Sequence, residues 1–147
     1  MAWIIPAESD LLTTLSETEL ATYRAAATAS GQADPVAPTL AQVVDLVRGY
    51  VGAYKPNTLG LPGTIPQKLL APALDLVAVR VPQRVGVAPK DVRTLAASRA
   101  VRLLEQVALG TFNIEEPDSA TLETTAAPKP SIAAHRPHFN RHEEEGV

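Results

Sequence analysis

The stretch Thr39-Leu40-Ala41-Gln42-Val43-Val44-Asp45-Leu46-Val47-Arg48-Gly49-Tyr50-Val51-Gly52-Ala53-Tyr54 decides the fold class. Leu40, Val43, Val44, Val47, Val51 and Tyr54 recur at i, i+3, i+4, i+7, i+11 and i+14, the repeat of one face of an α-helix. Asp45 and Arg48 fall off that stripe. Valine is a slightly poor helix former, but the amphipathic pattern outweighs that preference. Thr39 is expected to cap this helix. Lys55–Gly63 follows as a turn-rich connector holding Pro56-Asn57, Gly60 and Pro62-Gly63, and turn residues in a loop suit a contact role. Its candidate contact residues are Lys55, Asn57, Leu59 and Leu61.

Helical signals extend in both directions. Upstream, Leu11, Leu12 and Leu15 form the apolar face of a short helix over about 7–15, starting near Pro6 or Ser9. Ser16-Glu17-Thr18-Glu19 is a capping box: the Ser16 hydroxyl accepts the Glu19 amide while Glu19 reaches back to the Ser16 amide. It opens a helix through Tyr23 to about Ala29, closed by Ser30-Gly31, and Gly31–Pro38 is a loop. Downstream, a helix starts near Ile65-Pro66 and carries Leu69, Leu70, Ala73, Leu74, Val77 and Val81 to about Arg84. Pro72 either kinks it or marks its true beginning. After a break at Val85–Ala88, Pro89-Lys90-Asp91 opens a last helix with Val92, Leu95, Ala96, Ala100, Leu103, Leu104 and Val107 as apolar positions, ending at Gly110. Arg93, Arg99, Arg102 and Glu105 are expected to face outward. The fold class is all-α, a small bundle of four or five helices.

Composition sets the remaining bounds. The chain has 147 residues, 46% hydrophobic and 4% aromatic, with 13 Lys+Arg against 16 Asp+Glu and no Cys. One domain is the expectation at that length. Residues 1–110 hold ten basic and nine acidic side chains, whereas residues 111–147 hold three and seven. The later part also holds Pro117, Pro128, Pro130 and Pro137 and few large apolar residues, too little to offset its ordering entropy alone. The division is therefore a helical body, residues 1–113, and an extended acidic, Pro-rich C-terminal arm, residues 114–147. The net charge of −3 argues against a generally basic nucleic-acid binder. Absence of Cys excludes disulfides, Cys-ligated metal and a Cys nucleophile. No apolar run approaches the roughly 20 residues that span a bilayer, and Met1–Asp10 has no basic leader region. A soluble, intracellular-type protein without membrane association is expected.

Chemical signals are sparse. His135, His138 and His142 cluster, but Pro137 interrupts any helix that would align them as metal ligands, and a peptide docking on a partner is the stronger reading. No Gly-x-Ser-x-Gly element accompanies Ser98 or Ser131, and Gly60-x-x-Gly63 lacks the length and the Lys of a phosphate loop. Adjacent acids such as Glu115-Glu116 and Glu143-Glu144-Glu145 read as solvated charge. No enzyme activity, cofactor or metal is expected. Arg80 and Arg84 lie one helical turn apart, as do Arg99 and Arg102, with Arg93 two turns earlier. They suit phosphate contacts or salt bridges between subunits, but no base-reading Asn or Gln pattern accompanies them. Trp3 is too large to leave in water and is expected to be buried, in its own body or as an anchor on an adjacent subunit.

The ordered series of short segments carries a resemblance. Met1-Ala2-Trp3-Ile4-Ile5-Pro6 with Asp10-Leu11-Leu12, the Leu20–Ala29 helix, Gly31-Gln32-Ala33-Asp34-Pro35, Val47-Arg48-Gly49-Tyr50-Val51, Asn57-Thr58-Leu59-Gly60, Gly63-Thr64-Ile65-Pro66 with Leu69-Leu70, and Ala108–Phe112 together resemble the Mu-like prophage head–tail connector (adaptor) family of tailed bacteriophages. The similarity covers residues 1–116 and no single motif in it is diagnostic. It implies a helical protein without catalytic residues. Such a protein forms a cyclic homo-oligomer, typically a dodecamer, beneath the portal, in the virion neck and in the host cytoplasm during assembly. The ring extends the DNA channel, passes DNA without sequence preference, and provides a platform for neck and tail-completion proteins. It also implies that the C-terminal arm orders on the portal, with Ile132, Arg136, His138, Phe139 and Arg141 as candidate docking residues. Arg80, Arg84, Arg93, Arg99 and Arg102 then become candidates for inter-subunit contacts or the channel wall. The alternative function is a DNA-binding helical regulator or an assembly factor.

Overall fold

A computed structural model describes residues 3–118. Along them run α1 (Glu8–Leu11), α2 (Glu17–Ala29), α3 (Val36–Ala53), a 3-10 turn at Gln67–Leu69, α4 (Leu70–Arg84) and α5 (Asp91–Ala108). The described residues are all-α, as the periodicity requires. Their one extended pairing is an isolated antiparallel bridge between Ile4 and Ile65, each amide donating to the other's carbonyl at 2.9 Å.

Helix boundaries follow local chemistry. The Ser16 box forms as expected, with Ser16 Oγ accepting from the Glu19 amide at 3.2 Å and the Ser16 amide donating to Glu19 Oε2 at 3.1 Å. The helix expected over 7–15 shortens to α1 because Thr13 and Thr14 turn their hydroxyls onto the Asp10 and Leu11 carbonyls. The chain past Leu11 then makes turns rather than more helix. Thr39 does not cap α3. Asp34 Oδ1 accepts the Val36 amide at 3.0 Å and the helix starts four residues earlier, so Thr39 lies inside α3 and donates back to the Pro35 carbonyl at 2.6 Å. Pro38 and Pro72 each occupy the third position of a helix, where an amide has no intrahelical partner, so Pro72 marks the beginning of α4 and not a kink.

α3, α4 and α5 pack on one another, and α1 covers α3 and α4. α4 is the central element: Ala73, Leu74, Leu76, Val77, Ala78, Val79 and Val81 are all buried, so it is apolar on nearly every side. Alanines at 73 and 78 of α4 and at 97 and 100 of α5 are buried, and such small side chains suit close packing of these two helices. α3 contributes the stripe from which the fold was read, with Leu40, Val43, Val44, Val47 and Val51 buried.

α2 rests on this body through Leu20, Tyr23 and Ala27. Ion pairs hold it on either side. Arg24 meets Glu8 and Asp34, and Glu19 meets Lys90 at 2.8 Å and Arg93 at 2.7 Å. None of the helices of the described residues is long and apolar enough to cross a membrane.

Candidate docking surface

The N-terminal segment is built into the body. Trp3 is buried, and its Nε1 donates to the Glu115 carbonyl at 2.9 Å. The Arg48 guanidinium lies 5.9 Å from the Trp3 ring centroid, within reach of a cation–π attraction. Arg48 also donates to the carbonyls of Leu61 (2.8 Å), Thr64 (2.7 Å) and Gly60 (3.2 Å), and so folds the connector beneath the indole. Gly60 is required there: a Cβ would stand 2.7 Å from the Trp3 ring. Of the two locations open to Trp3, the structure takes its own core. One indole thus joins the N-terminal segment, the 60–64 loop and the chain past α5.

That anchor fixes a groove. Ile5 and Pro6, carried past α3 by the Ile4–Ile65 bridge, form one wall, and Leu40, Ala41, Val44 and Asp45 of α3 the other, around a space of about 330 Å³. The surface is mostly apolar, with Ile5 72% exposed at the rim. Glu8 also borders it, but its carboxylate is taken by Arg24.

α5 has two faces. Ala97, Ala100, Leu104 and Val107 point into the core, whereas Val92 and Leu95, expected inside, are 80% and 54% exposed. The sequence holds two overlapping apolar stripes about half a turn apart, and the one with small residues wins the close approach to α4. The losing stripe runs Val92, Leu95, Arg99, Arg102 and, just past the helix, Leu109, which is 74% exposed. Leu12, also expected inside, is 52% exposed at the α1–α2 junction.

The candidate arginines separate. Arg93 does not face outward. Its ion pair to Glu19 and its hydrogen bond to the Thr14 carbonyl at 3.3 Å make it a clasp between α5 and α2 within one chain. Arg93 and then Lys90 hold the Glu19 carboxyl far below the usual carboxylate range, and Glu19 in turn raises Arg93. Arg84 makes one long contact, 3.5 Å to Thr39 Oγ1. Arg99 and Arg102 are exposed and Arg80 is half-buried, and none of the three has an ion pair among the described residues. Burial raises the pKa of Asp75 on α4.

In the connector, Asn57 Nδ2 donates to the Val51 carbonyl at 3.1 Å and so finishes α3, and Leu59 lies against Gly52. Lys55 and Leu61 remain solvent-facing. A polar cleft of about 320 Å³ separates Pro56–Thr58 from Asn113–Glu116, with Lys68 3.7 Å from Glu115. Ile132, Arg136, His138, Phe139 and Arg141 lie outside the described residues.

The groove and the Glu19 clasp are not legible in the sequence. Both join residues far apart in the chain, and the local signals are slight: Asp45 off the apolar stripe of α3 for the groove, and Glu19 of the capping box for the clasp. No family model, curated protein or solved structure matches the chain.

Proposed function

We propose that this chain is a structural connector of a tailed phage, whose copies join head to tail in a ring beneath the portal, extend the DNA channel and present a platform to the neck and tail. One observation carries the reading: α5 completes the core with one face and holds Val92, Leu95 and Leu109 in water on the other. Large aliphatics aligned along one helix face, together with the separate apolar groove on α3, are what subunit packing uses. The ordered resemblance of residues 1–116 supplies the portal as the symmetric host. Arg99 and Arg102 on the outward face then serve contacts between subunits or the channel wall.

The test is mass spectrometry of gradient-purified virions from the phage that encodes the chain. The chain is expected in complete particles, at a stoichiometry matching a ring on the portal. A finished particle without it would overturn the reading in favour of an assembly factor. Tight DNA binding with sequence preference would overturn it in favour of a regulator.

A further inference from the structure

We infer that the outward face of α5 of one copy seats in the groove between the N-terminal segment and α3 of the next. The inference rests on the connector reading only in taking a second copy as the occupant. The two surfaces match in chemistry. The groove offers Leu40, Val44 and Ile5 as an apolar wall and floor, and Val92 and Leu95 are the exposed aliphatics to fill it. They match in charge as well. Glu8 at the groove is already satisfied by Arg24, which leaves Asp45, exposed and without an ion pair among the described residues, as its open carboxylate. Arg99 and Arg102 are the cations without an ion pair on the opposing face among the described residues, and Arg99 is the one a single helical turn past Leu95.

Spacing links the two. At about 1.5 Å per residue, Leu95 to Arg99 spans about 6 Å along α5, and Ala41 to Asp45 spans about 6 Å along α3. A parallel approach that sets Leu95 over Ala41 therefore brings Arg99 to Asp45. The small Ala41 side chain allows the incoming helix close. The groove and the α5 face share no residue, so one copy uses both at once. That makes the contact heterologous, the kind that generates rings or filaments.

The chain has no Cys, so cross-linking reads the contact directly. Ala41→Cys and Leu95→Cys copies are mixed and mildly oxidised, both sites being exposed. A disulfide needs Cβ atoms within about 4.5 Å, so a mixed dimer is expected about tenfold above either copy alone. Arg99→Asp is expected to weaken self-association about tenfold, and Asp45→Arg in the same chain to restore part of it. Thermal unfolding confirms that each variant is folded. Association without the mixed cross-link, or unchanged in Arg99→Asp, overturns this contact and leaves the connector reading standing. A chain that stays monomeric at every concentration overturns the contact also. A mixed cross-link in a chain missing from virions upholds the contact and overturns the connector reading.

Discussion

Gly110 ends α5 at φ +75°, and the Tyr54 ring lies so close that an added Cβ would stand 2.3 Å from it. Gly31 has the same backbone sign, φ +73°, with open space around it. Gly31→Ala is therefore expected to cost about 1 kcal/mol from backbone strain alone, and Gly110→Ala about twice that or more, in urea unfolding. The left-handed cap was legible because helices end in glycine. The Tyr54 contact was not, because it joins two helix ends far apart in the chain. Glu19 has a second local consequence. Its folded pKa is depressed by Arg93 and Lys90, so its contribution is complete above the ordinary value of about 4.5 and is lost as pH falls through and below that value. Stability measured from pH 6 down to pH 3 is expected to decline less in Glu19→Gln, which starts lower, than in the wild type. Parallel curves would remove the clasp from the account of α2.

Elements were legible as helices and ambiguous as faces. Period 3.6 identifies α5, but Val92–Leu95 and Ala100–Leu104–Val107 are both apolar and only one set can meet α4. Leu104 is fully buried and Leu95 is 54% exposed. Leu104→Ala is expected to cost about 2–5 kcal/mol and Leu95→Ala less than about 0.5 kcal/mol, a contrast that chemical denaturation resolves. α3 shows the opposite balance. Its stripe is plain in the sequence while its start is not, because Asp34 offers an acceptor before Thr39 does. The Ser16 box is fully legible, since both its hydrogen bonds lie within four residues. Ser16→Ala is expected to cost about 1 kcal/mol in the same measurement.

For the whole molecule, exposed charge and exposed aliphatics act together. If Arg99 and Asp45 meet across copies, self-association followed by analytical ultracentrifugation is expected to weaken with added salt but to persist, since salt screens the rim pair and spares the apolar contact. Complete loss at moderate salt would mean that Val92 and Leu95 contribute nothing. The sequence by itself determined the helical class, the caps at Ser16 and Gly110, and the buried stripe of α3, because each depends on groups a few residues apart. The tertiary structure alone decided that Trp3 is spent inside its own body, that Arg93 is a clasp within one chain, and which face of α5 is left to water. Those outcomes depend on how closely helices distant in sequence can approach, and small residues at a distant contact set that distance without leaving a local pattern.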